Sequence, residues 1–473
     1  MSINDIKITN RWRLSLVERR TLLVIGDFVV GLISLAAALL FWATNAEWLG
    51  LSVAFLQERV APWFYLLPFI WLALLIDTYD AHRSADWRKT VQGVASATAI
   101  GLGLYLIVYF ASDNPLPRSG VAAFLVSASV LTLIWRLMYI RIFTASQFMR
   151  RVLVVGAGKA GQTILGAINS MQIKPFDLIG IIDDDPKKIG TQVEGYEVIG
   201  SSDELPNFLQ EENISDIIVA ISGDMQGSTF QTLLDVQQQG VEITRMPVAY
   251  EELLNRVPIQ ILEADWILRS FVDQFRANNF YRIGKRILDI LGGMVGMLIL
   301  AMITPFVGLA TLLDDGRPVF YTQVRLGRGG KRHNIFKFRT MRRDAEANGK
   351  AVTAKEDDER ATRVGRFLRK THIDEIPQFI NVLRGDMSLV GPRSERPGLI
   401  EHYHRHIPFY RARLLVKPGL TGWAQVNYGY AGNIDDTIIK IEYDLYYVKH
   451  RNLVLDIITL LRTPGTMFGM RGQ

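Results

Sequence analysis

An apolar run of membrane-span length near the N-terminus constrains the fold of this chain more than any other feature. Between Leu22 and Ala43 the only ionisable residue is Asp27. The run holds roughly 22 residues, and a helix needs about 20 to cross the hydrocarbon core of a bilayer. A cleaved signal peptide has a shorter apolar run and a small-residue cleavage site. The sequence therefore predicts a transmembrane helix here.

Further apolar runs predict a four-span unit, with spans two to four at about 63–76, 91–111 and 121–143. Basic residues lie between spans two and three and in or after span four, including Arg83, Arg88, Lys89, Arg136, Arg141, Arg150 and Arg151. Because Lys and Arg near span ends stay on the cytoplasmic side, both termini of this unit are predicted to be inside. Asp27 is interpreted as facing a neighbouring helix or the headgroups, with a functional site as the alternative.

The composition limits the chemistry that the rest of the chain can perform. The 473 residues include no cysteine, which excludes disulfides, thiolate metal sites and cysteine nucleophiles. Hydrophobic residues make up 49% and charged residues 21%, so a disordered chain is excluded. Carboxylates, histidines, basic side chains and backbone groups must carry any catalysis.

After residue 148 the pattern becomes α/β and predicts a Rossmann-like domain over 148–260. A short apolar strand, 152–155, leads into Gly156, Gly158 and Gly161 and then into a helix. In that arrangement backbone N–H groups can hold a pyrophosphate, and Asp183, after the next strand, stands where a ribose-binding acid often lies. NAD or another nucleotide is one expected ligand, while a fold that binds nothing is the alternative.

A second feature bears on NAD chemistry, since Tyr281 and Lys285 form a Tyr-x-x-x-Lys pair. The pair lies beyond the α/β region and directly before another apolar segment. We interpret it as a chance match whose side chains anchor the edge of the membrane.

That apolar segment, 287–313, predicts a re-entrant helix-break-helix over about 285–313. It is long enough to span, but the stretch behind it, 317–343, is strongly basic and contains no acid. The positive-inside rule argues against moving such a stretch out of the cytoplasm. Thr304-Pro305 lies past the middle of the segment, where proline breaks a helix. A simple kinked transmembrane helix is the alternative.

Several motifs after residue 280 together resemble a known family. They are Lys285-Arg286 and the stretches 318–325, 336–341, 372–378, 381–393 and 417–427. In this order they are similar to the bacterial monotopic phosphoglycosyl transferases. The whole chain resembles the large members, which have four spans and a Rossmann-like domain before the catalytic unit and initiate exopolysaccharide or O-antigen synthesis.

The resemblance implies an activity and a catalytic pair. The family transfers a sugar 1-phosphate from a UDP-sugar to undecaprenyl phosphate, giving undecaprenyl-diphosphate-sugar and UMP, with Mg²⁺. Its Asp-Glu pair falls on Asp374 and Glu375. An aspartate at a helix N-terminus is kept ionised by the dipole, which suits a nucleophile that forms a phospho-aspartate in a ping-pong reaction. Glu375, with Asp374, would then hold the metal. Taken alone, the pair fits an N-cap acid beside a surface acid.

Basic residues around the pair are the expected substrate-binding groups. By resemblance, Lys337, Arg369 and Arg393 match basic positions of the family's active site, and Arg339 is expected to join them. Fixed cations suit the spread-out charge of a phosphoryl group. This chain departs from the family at Thr371-His372 and at Ser394, which replaces the second proline of a Pro-Arg-Pro motif and leaves the placement of Arg393 open.

The fold class predicted is membrane α plus α/β, in three domains: a four-span unit over 1–147, the Rossmann-like domain over 148–260 and the catalytic domain over 261–473. The expected location is the bacterial inner membrane, multi-pass, with catalysis on the cytoplasmic face. Expected partners are a UDP-sugar, undecaprenyl phosphate, membrane lipids and a second copy in a homodimer, with no nucleic acid. The alternatives are a membrane-bound NAD-dependent nucleotide-sugar enzyme and a non-catalytic scaffold.

Overall fold

The computed structural model describes residues 16–45, 51–111, 117–143, 149–171, 174–262, 279–342, 359–429 and 433–467. The chain divides into two compact units, Met1–Ala249 and Tyr250–Gln473. The predicted boundary at 147/148 lies outside the described residues, and the division into three domains stays a prediction.

Helices form the first part of the first unit. They are α1 (Leu16–Asn45), α2 (Val53–Glu58), α3 (Leu67–Leu74), α4 (Ala81–Ser84), α5 (Trp87–Ala111) and α6 (Arg118–Phe143), with 3-10 segments at Pro62–Leu66 and Ile76–Tyr79. By length and composition α1, α5 and α6 are long enough to cross a membrane. The second predicted span is shorter than the others, because Pro62 and Pro68 each start a new helical segment.

Asp27 of α1 is buried against α6 rather than exposed to lipid. Arg136 Nη2 lies 2.7 Å from Asp27 Oδ2, and neither side chain is more than 1% exposed. Arg136 Nη1 also donates to the carbonyl of Thr78 at 3.4 Å. Arg136 therefore neutralises a carboxylate inside the helical bundle. It is not a loop charge, so it does not count among the basic residues used to predict orientation.

A six-stranded mixed α/β sheet forms the second part of the first unit. Its elements are β1 (Arg151–Val155), α7 (Lys159–Asn169), β2 (Asp177–Ile182), β3 (Gln192–Val193), β4 (Tyr196–Gly200), a 3-10 segment (Ser202–Glu204), α8 (Leu205–Glu212), β5 (Asp216–Val219), α9 (Gly227–Gln238) and β6 (Glu242–Arg245). The strand order is β3-β4-β2-β1-β5-β6, parallel except for the β3–β4 hairpin. The central strands are buried, which explains their continuous apolar runs. The narrower Rossmann-like assignment stays a prediction.

The remaining elements are α10 (Met246–Leu254), α11 (Asn279–Asp315), β7 (Phe320–Leu326), β8 (Arg332–Phe338), α12 (Arg363–Lys370), α13 (Phe379–Arg384), β9 (Ser388–Val390), α14 (Pro397–His404), β10 (Gly419–Thr421), α15 (Trp423–Asn427), α16 (Ile434–His450) and α17 (Leu453–Met467), with 3-10 segments at Arg328–Gly330, Ile373–Gln378 and Tyr410–Leu415. In the second unit β7 and β8 form an antiparallel hairpin, and β9 pairs with β10 in parallel.

The long helix α11 is continuous from Asn279 to Asp315, so the predicted break is not confirmed. Pro305 lies inside the helix. Thr304 Oγ1 donates to the carbonyl of Leu300 at 2.6 Å, which supplies a hydrogen bond to the turn that the proline weakens. Together with α1, α5 and α6, α11 gives four helices long and apolar enough to cross a membrane, which indicates a membrane protein.

Both ends of α11 are tied to the rest of the second unit. Near its start, Arg286 donates from Nη1 and Nη2 to the carbonyls of Val382 and Leu383, at 3.0 and 2.7 Å. At its end, Asp315 accepts from Arg339 Nη1 at 2.9 Å. Residues between these ends are also buried, from Asp289 to Thr311. One face of α11 therefore packs on the same unit along its whole length.

Candidate active site

Asp374 and Glu375 lie in the 3-10 segment Ile373–Gln378, which the apolar packing of α11 holds in place. His372 precedes the segment with a φ of +57°, so the chain turns sharply out of α12. The side chains of Ile373 and Ile376 pack into a cluster with apolar residues of α11, β8 and α12. A helix was expected to begin at the acidic pair, and the structure has a 3-10 segment followed by α13, with Pro377 inside the 3-10 segment.

Strand β8 brings Lys337 to both carboxylates. Lys337 Nζ lies 2.7 Å from Glu375 Oε1 and 3.7 Å from Asp374 Oδ2. Its own side chain is 18% exposed. One ammonium thus bridges the adjacent acids and stays accessible to a ligand.

Arg393 contacts only the second acid of the pair. Its Nη2 lies 2.6 Å from Glu375 Oε1 and its Nη1 lies 3.3 Å from Oε2, so the guanidinium forks over the carboxylate. The Arg393 side chain is 37% exposed, which leaves part of it open to solvent. The structure therefore brings together four of the predicted site residues: Asp374, Glu375, Lys337 and Arg393.

The two carboxylates differ sharply in their electrostatics. Burial raises the pKa of Asp374 against the opposing charge of Lys337, and the Glu375 carboxylate adds to the rise. Burial acts in the same direction on Glu375, but Arg393 and Lys337 outweigh it and hold the pKa of Glu375 well below its usual range. The prediction that a helix dipole keeps Asp374 ionised stays a prediction, and the burial of the carboxylate works against ionisation. A short 3-10 segment does not compensate for the loss of water around the carboxylate.

Asn381 of α13 fixes the strand that carries Lys337, a role that the sequence analysis missed. Its Oδ1 accepts from the N–H of Phe336 at 3.1 Å, and its Nδ2 donates to the carbonyl of Asn334 at 2.7 Å. The side chain is fully buried and replaces a missing neighbour strand at the edge of β8. Asn381 lies in the motif 381–393. Its side chain bonds to backbone atoms of Phe336 and Asn334, and the residue types at those positions do not reveal such a contact in the sequence.

Two further arginines, Arg339 and Arg369, were predicted to bind substrate. Arg339 is buried and donates to the C-terminal end of α11, at Asp315 Oδ2, the Asp315 carbonyl and the Gly316 carbonyl. This gives Arg339 a capping role at the helix C-terminus. Arg369 lies in the last turn of α12, where its carbonyl accepts from the N–H of His372 at 3.2 Å.

Tyr281 and Lys285 meet a buried acid rather than a cofactor. Asp456 Oδ2 accepts from Lys285 Nζ at 3.0 Å and from Tyr281 Oη at 3.2 Å, and Asp456 Oδ1 accepts from Tyr447 Oη at 2.7 Å. Asp456 is fully buried. The pair thus anchors the start of α11 to α17 inside the protein, and the explanation as chance plus membrane-edge anchoring missed this partner.

The glycine turn of the first unit is occupied by a side chain of the chain itself. Asp183 Oδ2 accepts from the N–H of Ala157 at 2.7 Å, in the turn where a pyrophosphate was expected. Gly156 has a φ of +111°, and a Cβ at Gly161 would collide with the Gly156 carbonyl, so both glycines serve close packing. Gly158 has open space beside it.

The adjoining cavity has the wrong charge for a nucleotide. It measures about 280 Å³, and its lining includes Asp183, Asp184, Asp185 and Asp224. The hydrogen bonds that Asp183 accepts from Ala157, Asp185 and Lys188 outweigh its burial and lower its pKa, so it stays anionic. The described residues therefore do not fit the pyrophosphate of NAD.

The Glu375 carboxylate as described offers no open oxygen to a Mg²⁺ ion. Both oxygens of Glu375 already face cationic nitrogens, and Asp374 shares Lys337 with it. Magnesium needs open carboxylate oxygens in octahedral geometry. Within the described ranges no group of three or more potential metal ligands comes together. The assignment of Glu375 and Asp374 as metal ligands stays a prediction.

Two different family models match two different parts of the chain. Residues 280–470 match the family model described as bacterial sugar transferase. Residues 75–247 match a model described as a CoA-binding domain.

Three similar curated proteins carry related descriptions. A UDP-N-acetylgalactosamine-undecaprenyl-phosphate N-acetylgalactosaminephosphotransferase of Aeromonas hydrophila is 38% identical over 48% of this chain and 55% of its own length. A UDP-glucose:undecaprenyl-phosphate glucose-1-phosphate transferase of Xanthomonas campestris pv. campestris is 31% identical over 60% of this chain and 59% of its own length. The exopolysaccharide production protein PSS of Rhizobium leguminosarum bv. phaseoli is 39% identical over 38% of this chain and 92% of its own length. The chain thus spans between half and two thirds of the first two relatives and nearly all of the third.

Proposed function

Because the chain belongs to the bacterial sugar transferase family, we propose that it transfers a sugar 1-phosphate from a UDP-sugar to undecaprenyl phosphate and releases UMP. The observation that carries the proposal is the asymmetry of the two carboxylates. Glu375 is held by two cations, whereas the Asp374 carboxylate accepts no hydrogen bond from any described residue and has its nearest cation at 3.7 Å. Asp374 is therefore the carboxylate available to attack.

In the first half-reaction an Asp374 oxygen attacks the phosphorus that bears the sugar. A bond forms between the carboxylate and that phosphorus, the bridging P–O bond of the diphosphate breaks, and UMP leaves with the electron pair. In the second half-reaction an oxygen of undecaprenyl phosphate attacks the same phosphorus, which releases the Asp374 carboxylate unchanged. This double displacement predicts ping-pong kinetics.

Lys337 and Arg393 neutralise the phosphoryl oxygens during both steps. Each cation now pairs with Glu375, so an arriving diphosphate competes with one carboxylate for both of them. Fixed positive groups that face the developing charge are the main source of catalysis in phosphoryl transfer. The proposed role of Glu375 is to hold these cations in position before the substrate binds.

The packing of α11 supports a re-entrant or surface-lying helix rather than a crossing one. At about 1.5 Å per residue its 37 residues extend roughly 55 Å, well beyond the ~30 Å hydrocarbon core. Residues at both ends of α11 bond to the same unit, at Val382 and at Arg339. A crossing helix would place these ends on opposite faces of the bilayer.

The outer face of α11 is the proposed contact with membrane lipid. Leu298, Met302 and Phe306 are 68%, 72% and 77% exposed, and all three are apolar. Undecaprenyl phosphate would approach along this face, with its phosphate at the dyad. The proposed orientation, with this unit on the cytoplasmic face of the inner membrane, follows from the basic residues after α11.

The test measures UMP release from membranes that carry the full chain, supplied with undecaprenyl phosphate and a panel of UDP-sugars. The panel is needed because the relatives are named for different sugars. UMP from one sugar, lost in Asp374→Asn, is the expected result. UMP that appears only when both substrates are bound would contradict the double displacement, and an active Asp374→Asn would overturn the nucleophile.

A further inference from the structure

A tightly bonded loop carries Arg393 to the dyad. We call residues 391–395, which follow β9, the Arg393 loop. Each of its last four carbonyls accepts a hydrogen bond: Pro392 from the Gly419 N–H at 3.0 Å, Arg393 from Arg413 Nη2 at 2.9 Å, Ser394 from Arg325 Nη1 at 3.0 Å and Glu395 from the Leu326 N–H at 3.1 Å. The two carbonyls at and after Arg393 are thus held by side chains from other elements.

Arg413 is built into its position by surrounding polar groups. It lies in the 3-10 segment Tyr410–Leu415 and is only 4% exposed. Its Nη1 donates to Tyr410 Oη at 2.9 Å, and its Nη2 lies 2.8 Å from Asp444 Oδ2. A buried guanidinium is stable only with such partners, and its planar fork reaches several acceptors at once. Arg413 can therefore hold the Arg393 carbonyl at a fixed point.

Arg325 holds the next carbonyl of the loop, that of Ser394. It lies on β7, is 16% exposed, and donates from Nη2 to Gln323 Oε1 at 2.8 Å as well as to the Ser394 carbonyl. The carboxylate of Glu395 lies between the two arginines, 3.6 Å from Arg325 and 3.8 Å from Arg413. Glu395 of the loop thus interacts with both Arg325 and Arg413.

Ser394 does not itself restrict the backbone of the loop. In the family that the chain resembles a proline stands here, and its ring would fix the backbone angle φ. A serine leaves that angle free. Arg393 forms a parallel β-bridge with Gly419, in which the Gly419 N–H donates to the Pro392 carbonyl and the Ser394 N–H faces the Gly419 carbonyl, so a proline at 394 would lose a backbone donor of this bridge.

We propose that Arg413 and Arg325 are positioning residues that hold the Arg393 guanidinium where it can bind phosphoryl oxygens. Neither touches the substrate. Both act through carbonyl oxygens of the loop, at Arg393 and at Ser394. The inference rests on the proposed function, since it concerns the same phosphoryl-transfer site.

The first variant is Arg413→Lys, which keeps the charge but loses the fork. Its matched control is Arg411→Lys, because Arg411 is 56% exposed and, among the described residues, pairs only with Glu401. A misplacement near 1 Å costs up to about a hundredfold in rate, so we expect kcat to fall about tenfold or more in Arg413→Lys and to stay unchanged in the control. Rates are expressed per folded protein, which removes the effect of simple destabilisation.

A double-mutant cycle separates positioning from a general role in stability. In an Arg393→Ala background, Arg413→Lys is expected to lower kcat little further, because its effect passes through Arg393. Arg325→Lys, in the same cycle, carries the test if Arg413→Lys does not fold. A kcat equal to the wild type in both arginine variants, or an undiminished further loss in the Arg393→Ala background, would overturn the proposal.

Hydrogen exchange decides the point independently of turnover. Peptides covering 388–396 are expected to exchange faster in Arg413→Lys than in wild type, while peptides from β5 and α9 of the first unit stay unchanged. If wild type releases no UMP from any sugar, the proposed function fails, but faster exchange still supports positioning by Arg413. Equal exchange in the two proteins contradicts it.

Discussion

Replacing Gly296 of α11 by alanine is expected to disturb the dyad from the membrane side of the unit. An added Cβ at Gly296 would lie within 2.5 Å of Cγ, Cδ1 and Cδ2 of Phe379. Carbon atoms in contact sit at about 3.5–4.0 Å, so the ring must move by roughly 1 Å or more. The Phe379 N–H bonds to the carbonyls of Ile376 and Pro377, directly after Asp374 and Glu375. The shift therefore reaches the catalytic segment.

The magnitude follows from overpacking and from geometry. Overfilling a packed core costs about 1–3 kcal/mol, while alanine in place of glycine gains about 0.5–1 kcal/mol in a helix. A displacement near 1 Å can lower the rate by up to about a hundredfold. Gly296→Ala is thus expected to lose stability and at least tenfold in kcat.

Gly308→Ala on the same helix is the matched control. A Cβ at Gly308 would meet only Val319 Cγ1, at 3.8 Å, which is ordinary contact. The assay compares UMP release per folded protein and thermal unfolding in detergent for both variants. If Gly296→Ala matches Gly308→Ala in rate and in stability, the reasoning that α11 packing positions the dyad is refuted.

Three further predictions concern protonation, the strand support and the glycine turn. Attack requires ionised Asp374. Because the pKa of Asp374 is raised, UMP release should be lost on acidification at a higher pH than an ordinary aspartate would give. Lys337→Gln removes an opposing charge and should move this acidic limb to still higher pH in a pH series. Asn381→Ala leaves one backbone N–H and one carbonyl of β8 unpaired, a loss of about 2–6 kcal/mol that thermal unfolding should detect; Asn381→Asp should not rescue it, because a buried carboxylate oxygen would face the Asn334 carbonyl. Gly158→Asp should leave UMP release unchanged, since the turn already holds the Asp183 carboxylate, and a complete loss would favour the nucleotide-dependent alternative.

The sequence predicted well where a pattern is local. Apolar runs of fixed length located α1, α5, α6 and α11, and a strand followed by glycines located β1 and α7. Membership in the sugar transferase family, which several motifs in order indicated, is confirmed by the comparisons. Such features depend on residues close together in the chain, so periodicity or a motif records them.

Contacts between distant residues escaped the sequence analysis. Nothing in the spacing of Arg136 indicates Asp27 as its partner, and a basic residue near a span end resembles any other loop charge. Arg339 stands two residues from Lys337, yet their different contacts place one at a helix end and the other at the dyad. The Asp183 carboxylate was expected to bind a ribose, and no spacing in the chain indicates the hydrogen bond that it accepts from the Ala157 N–H.

The ion pair between Asp27 and Arg136 has a consequence for how the chain is made. The partners are 109 residues apart. At about 5–20 residues per second, the ribosome delivers the arginine roughly 5 to 20 s after the acid. During that interval the first helix carries a lone carboxylate in the first third of its apolar run, where the insertion cost lies below the about 2.5–3.5 kcal/mol measured at mid-span. We therefore expect α1 to stay beside the insertion machinery until α6 is synthesised. The order of synthesis then affects how the bundle assembles.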